Sequence, residues 1–423
     1  MDLFKNCVFS DFAAPTLPPT AYDFNLPRFH RIRQEFPDQR VADIDGAVDA
    51  EFQREAVRRK IKRDDSVALL VGSRGICSID RVVRRTVYNI QKLGGRPFIV
   101  PAMGSHGNGE AQAQKEILEG YGVTEEAMGC PIRSSMETVL AGYTEAGLPA
   151  YADKNAAGAD VIVPICRVKC HTDFHGPYES GICKMLAIGL GKHKGCSRIH
   201  QETIEDFPRV IPSIAQVMLD KLPVGFAIAL IENAHEHLYQ IRAVCAEEIM
   251  DEEPGLLQLS KSLMPRIQFR DADILIVNRI GKDITGAGMD PNITGRKTGI
   301  QFEDYTGPRF QRIIVNGLTE ASHGNAIGLG LADFTTFSTL QQINFTMTYT
   351  NCTASGDPQC SRLPLVMKDE ETALRAAIAT CTGIDRRKVK VIRIPDTLHL
   401  TEIEVSSSLL AECGEMEGVT VLD

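Results

Sequence analysis

Residues 171–200, HTDFHGPYESGICKMLAIGLGKHKGCSRIH, carry four of the chain's ten histidines and a lysine, Lys184, set between Cys183 and an apolar Met-Leu-Ala-Ile run. Imidazoles titrate near neutral pH and ligate borderline metals, so His171, His175, His193 and His200 are the first candidates for proton transfer or metal binding. A lysine in apolar surroundings loses its proton more readily and can form a covalent bond through its amine. His106 stands in a Gly-Ser-His-Gly turn after an apolar run, where a ring at a strand end suits a general acid or base. Arg74, in Gly-Ser-Arg-Gly, can fork onto a carboxylate or phosphate.

Each of these has a plainer alternative. His106 can simply terminate a turn, and Arg74 can form a surface ion pair. His171 and His175 are spaced like a zinc pair on a helix, but Phe174-His175-Gly176-Pro177 predicts a loop. The glycines at 189, 191 and 195 do not have dinucleotide-fingerprint spacing, and suit close backbone approach to some other phosphorylated group. His235, His237 and His323 lie in polar turns with less context.

These residues need a scaffold. With 423 residues, 43% of them hydrophobic, the chain can bury two cores. Apolar runs at 66–72, 97–102, 160–166 and 225–232 read as buried strands, with helices over 50–62 and from Ser78, a candidate N-cap, to Gly94-Gly95. A second series has strands at 272–278, 312–318 and 388–394 and a helix over 370–382. The expected fold is two α/β domains, residues 1–268 and 269–423, with mostly parallel sheets and the active site in the cleft between them, and with the last ~20 residues free to pack back on the first domain. In such sheets, sites lie beyond the carboxyl ends of strands, which singles out the loops at 72–75, 103–107 and 167–183 and the segment after Asn278.

A net charge of −9, without a Lys/Arg run, argues against a nucleic-acid surface. Twelve cysteines without a C-x-x-C pair, a secretory leader or a long apolar segment point to reduced thiols, a cytoplasmic protein and no membrane span.

The chain resembles the lactate racemase family. The resemblance is carried by Gly104-Ser105-His106, Lys169-Cys170-His171, Ser180-Gly181-Ile182-Cys183-Lys184, His200 and Asp290-Pro291-Asn292, in order along residues 65–300. It implies a nickel-pincer nucleotide tethered covalently to Lys184, with His200 as the metal ligand and His106 and His171 as the two acid/base groups. Ser73, Arg74, Ser180 and Gly181 would bind the cofactor, and Arg74, Asn292 and Arg296 the substrate. The implied partners are a small 2-hydroxy acid and the enzymes that build the cofactor, and the implied reaction is inversion at the α-carbon by hydride transfer. The chain departs from the family in three places: Thr294-Gly295-Arg296-Lys297 replaces a Gln and Lys, the 72–76 loop reads Gly-Ser-Arg-Gly-Ile, and there is no Trp. A 2-hydroxy acid other than lactate is therefore expected. His171 is preferred over His175 because it follows the strand exit 164–169. The alternatives are a zinc-dependent hydrolase or lyase using His171, His175 and His193, and a non-catalytic protein that binds the nickel nucleotide or an acidic ligand.

Overall fold

A computed structural model describes residues 15–72, 75–297 and 305–423; Ser73 and Arg74 lie outside them. The chain forms two compact units, Pro37–Met264 and a second made of Pro265–Asp423 joined by the chain start through Phe36. The first strand, β1 (Phe29–Gln34), belongs to the second unit.

The unit Pro37–Met264 is built on a five-stranded sheet ordered β3-β2-β6-β7-β8, with β2 Ser66–Val71, β3 Arg96–Pro101, β6 Val161–Arg167, β7 Phe226–Glu232 and β8 Leu238–Cys245. β3, β2, β6 and β7 run parallel and β8 is antiparallel to β7. A separate hairpin pairs β4 (Thr138–Tyr143) with β5 (Pro149–Asp153). Parallel strands covered on both faces read as unbroken apolar runs. In β2, Val67, Leu69 and Val71 enter one core while Ala68 and Leu70 enter the other. Helix Ile79–Lys92 covers the first face, as expected, but Ser78 is in the left-handed region at φ 53° and makes no side-chain cap. The helix expected over 50–62 is instead Ile44–Gln53, broken at Arg54 and followed by the turn Glu55–Arg58.

The second unit has an eight-stranded sheet ordered β12-β11-β10-β9-β13-β14-β1-β15. Its parallel half comprises β9 Ile274–Val277, β10 Arg312–Val315, β11 Phe334–Thr336, β12 Leu365–Met367 and β13 Val391–Ile394. β14 (Glu402–Ser406), β1 and β15 (Val419–Val421) extend it antiparallel. The sequence expectation placed everything before residue 269 in one domain and the chain's end against it. In the structure β1 is instead sandwiched between β14 and β15, and both chain ends complete the second sheet. Both units are thus α/β with mostly parallel sheets. Among the described residues the cysteines are free thiols, and no helix is long and apolar enough to cross a membrane.

Candidate functional site

In the Pro37–Met264 unit, the chain passes from β2 outward to β3 and then returns to place β6 on the other side of β2. In open α/β sheets, ligands bind beyond the carboxyl ends of the strands at such a reversal, here between β2 and β6. The loops leaving β2, β3 and β6 are those that carry Ser73 and Arg74, His106, and the 168–184 segment.

Lys184 ends the short helix Ile182–Lys184, which runs into a π-helical stretch, Met185–Gly189, closed by the wide Leu190 N–H to Met185 O bond of 2.8 Å. Such π segments recur at functional sites because they re-aim side chains. Helix Lys192–Ile199 follows and His200 is its C-cap. The His200 ring is exposed, and its Nδ1 lies 2.8 Å from Cys196 O and 3.5 Å from Cys196 Sγ. An Nδ1–H donated to that carbonyl leaves the Nε2 lone pair, on the far side of the ring, available to a ligand. The Cys196 contact raises the His200 pKa against burial, and the Lys184 ammonium pushes it the other way, so Lys184 lies within electrostatic reach of the ring. Burial pushes the Cys196 thiol up, but hydrogen bonding to His200, with Ser105 alongside, outweighs this and leaves it below its ordinary value.

The His106 turn packs on the same segment. Gly104 sits at φ +59°, where a Cβ would press on Cys196 Sγ and Ile188 at 3.3 Å, and Gly189 lies so close to Ala102 O that a Cβ there would be 2.6 Å from it. His106 itself is exposed. Its carbonyl and that of Gly104 accept from Gln114 Nε2 at 3.0 and 2.9 Å. The Gln114 Oε1 in turn accepts from Lys192 Nζ at 2.9 Å, which also donates to Pro101 O at 2.7 Å. Lys192 has no exposed surface and lies 3.7 Å from the equally buried Asp153 Oδ2. Burial drives Lys192 down and Asp153 up, each toward its neutral form. Lys192 also holds φ +54°, a strained value for a side-chain-bearing residue.

The segment after β6 is closed at its base by a bridge in which Lys169 N–H donates to Ser180 O and Ser180 N–H to Lys169 O. Inside it, the Glu179 carboxylate accepts from His171 N at 2.7 Å, Gly176 N at 3.1 Å and Lys261 Nζ at 2.7 Å. His171 Nδ1 accepts from Asp173 N–H at 3.0 Å, so the neutral ring carries its proton on Nε2. The His171 ring stacks on Phe174 at 4.3 Å; Phe174 meets Phe207 edge-on, and Phe207 meets His200 edge-on. This aromatic chain spans from His171 to His200. His175 Nε2 sits 3.6 Å from Cys170 Sγ, and these two with Glu179 form a group of potential metal donors within 4.8 Å of one another.

Of the expected trio of His171, His175 and His193, His193 is exposed and lies along Gly109, while His175 gathers with Cys170 and Glu179. Gly181 abuts Glu253 with no room for a Cβ, and Glu253 Oε2 accepts from Cys183 N at 2.8 Å. Glu253 thus caps the helix that bears Lys184, and burial pushes its carboxyl up to about 7. In the other unit, Asn292 Nδ2 donates to Asp290 Oδ1 at 2.8 Å. Arg296 is braced by Asp333 and by the carbonyls of Leu331, Phe310 and Gln311. These bonds engage both terminal nitrogens of Arg296, the residue the sequence offered as a substrate ligand, and tie it to its own unit. His237 pairs with Asp38 at 2.8 Å and His323 forms a left-handed turn.

Gln114, Asp153, Glu179, Lys192, Glu253 and Lys261 escaped sequence reasoning. Lys192 lies in Gly-Lys-His-Lys-Gly beside a more conspicuous histidine, and Glu253 in an acidic run, Asp-Glu-Glu-Pro, that reads as solvated surface.

No family model matches the chain, and no curated protein matches it. Among solved structures, the lactate racemase apoprotein from Thermoanaerobacterium thermosaccharolyticum is similar at 12% identity and TM-score 0.51, over 88% of this chain and 99% of that one. A Thermotoga maritima protein is similar at 10% identity and TM-score 0.47, over 64% of this chain and 69% of that one. The likeness to the lactate racemase apoprotein is one of fold, and beside it the chain holds a cluster of metal-ligand types at Cys170, His175 and Glu179.

Proposed function

We propose that this chain is a racemase or epimerase of a 2-hydroxy acid that works with a nickel-pincer nucleotide tethered to Lys184, with His200 as the protein ligand to nickel. The observation that carries this reading is the oriented His200 imidazole, closing the helix that follows the Lys184 segment, with the Lys184 ammonium close enough to act on the ring electrostatically. The His200 ring has its Nδ1 on the Cys196 carbonyl, as ligating imidazoles have, which leaves Nε2 as the nitrogen to meet a metal. A half-buried amine and an oriented imidazole are the donor set such a group requires. When bound, the nucleotide would supply a hydride acceptor beside its metal.

The chain's own residues would manage the proton. His106, exposed on a turn fixed by Gln114, is assigned the base that takes the substrate's hydroxyl proton and later returns it. His171, with its proton on Nε2, is assigned the donor that polarises the substrate oxygen. Ser73 and Arg74 remain candidates for the carboxylate or cofactor phosphate, Ser180 and Gly181 for the cofactor, and Asn292 for the substrate.

The test is coexpression with the enzymes that make the cofactor, followed by intact mass, nickel content and chiral assay over lactate, malate, phenyllactate, glycerate and sugar acids. The expected result is an adduct on Lys184. His106→Ala should keep adduct and nickel and lose roughly 10²–10⁴-fold in rate, whereas His200→Ala should keep the adduct and lose nickel. Absence of both adduct and nickel from the loaded preparation would remove the reading.

One observation favours a second reading, a metal-dependent hydrolase or lyase without an organic cofactor: the grouping of Cys170, His175 and Glu179. That enzyme would keep its metal and its activity when Lys184 is replaced by Ala.

A further inference from the structure

We infer that the loop between β6 and the Lys184 helix is a metal site of its own, binding a zinc-class divalent ion through Cys170 Sγ, His175 Nε2 and Glu179, with a fourth position open to water or a ligand. This deepens the second reading by naming its ligands, and it holds equally if the chain is a racemase, because it draws on neither Lys184 nor His200.

Zinc sits about 2.3 Å from a thiolate sulfur and about 2.0–2.1 Å from an imidazole nitrogen, so at a tetrahedral angle the two donors are about 3.6 Å apart. Cys170 Sγ and His175 Nε2 are 3.6 Å apart, and the Glu179 oxygen completes a group no wider than 4.8 Å. Three protein ligands of this kind are the number found where zinc keeps an open position. Sulfur, imidazole and carboxylate together select zinc or cobalt over magnesium or calcium, which take oxygen alone.

The loop is organised before any ion arrives. The Lys169–Ser180 bridge closes its base. Glu179, 1% exposed, is oriented by the N–H groups of His171 and Gly176 and by Lys261. A carboxylate has about four lone-pair sites, and these partners occupy three. Ligating carboxylates are characteristically hydrogen-bonded in this way. The Lys261 ammonium opposes a cation, and the Glu179 carboxylate and a Cys170 thiolate together supply the two negative charges that offset a divalent ion. Cys170 is 4% exposed, so that thiolate has little solvent to stabilise it and gains most from a metal.

The plainer arrangement is a thiol–imidazole hydrogen bond, and the experiment separates the two without any assay of catalysis. The full chain, produced without the nickel-cofactor enzymes and stripped with a chelator, is titrated with zinc alone and with cobalt(II) alone. One equivalent of zinc should bind, and the cobalt form should show a thiolate-to-metal charge-transfer band. Cys170→Ala and His175→Ala should each weaken zinc binding on the order of 100-fold or more and abolish the band, while Lys184→Ala and His200→Ala leave both unchanged. Because the cobalt spectrum of the unaltered chain needs no variant, a failure of either variant to fold does not obscure the answer. A wild-type cobalt spectrum without the sulfur band overturns the site, as does zinc binding that survives both ligand changes or is lost with His200.

Discussion

Glu253 joins the site to the core through one carboxylate. It is 1% exposed, its Oε2 holds the Cys183 N–H, and among the described residues its Oε1 has no hydrogen-bond partner. An acid so placed resists ionisation, which is why its pKa rises from 4.5 to about 7. The folded chain therefore binds more protons than the unfolded chain between those values, and stability falls as pH rises through that window. The group's stabilisation is fully present below about pH 4.5 and gone above about 7, a change of about 3 kcal/mol at ~1.4 kcal/mol per pH unit. Glu253→Gln keeps an acceptor for Cys183 without a charge, so it should flatten this dependence and be the more stable protein at pH 8. Urea denaturation at pH 5 and 8 measures it; equal slopes for the two proteins would sink the assignment. Little of this was legible in the sequence. The residues with conspicuous chemistry, Lys184, His106 and His200, stand out by type and company, whereas Glu253 acquires its role only by lying against Gly181 across the fold.

At the scale of elements, the buried parallel strands were readable and the half-exposed ones were not. β2, β3, β6 and β7 fall within a residue or so of the apolar runs at 66–72, 97–102, 160–166 and 225–232, because strands covered on both faces need no alternation. The hairpin strand β4, TVLAGY, has no fully buried position, and β1, FHRIRQ, buries only Ile32 and Gln34, so neither carries the apolar signal. The contact that matters most to the site also joins elements remote in sequence: Lys192, at the start of its helix, reaches Pro101 O and Gln114 and so ties the His106 turn to the segment between Lys184 and His200. Removing the ammonium leaves Asp153 and two further acceptors buried without it. Lys192→Met should destabilise the chain by about 3 kcal/mol, the lower end for breaking a buried pair, since Asp153 can escape its charge by protonation. Hydrogen exchange at residues 104–106 should quicken as well. The double change Lys192→Met with Asp153→Leu should recover part of the loss. A single variant within about 0.5 kcal/mol of the parent, the range of ordinary surface changes, would show that the pair does not hold the turn.

At the scale of the whole molecule, a chain whose first strand completes its last sheet has no single cut that yields two intact domains. Composition reports neither partner nor distance: nothing in FHRIRQ announces that Phe29 will lie opposite Ser406 or Ile32 opposite Val421. β1 brings Ile32 to the second core, and Gln34, whose side chain donates to Leu400 O at 2.7 Å and accepts from Gln268 N at 2.9 Å. Without it, β15 loses the strand it pairs with and β14 presents an open edge, a template for pairing with other chains. Residues 37–264, by contrast, contain their own sheet and both of its covering cores. Expressed alone, they should unfold cooperatively and retain the Cys170–His175–Glu179 donors, whereas residues 265–423 alone should self-associate. A peptide spanning residues 15–36, added in trans, should return the latter to a monomer by supplying β1. Light scattering on the two fragments decides the matter. If residues 265–423 proved folded and monomeric without the peptide, β1 would be an ornament on a self-sufficient sheet rather than the strand that closes it.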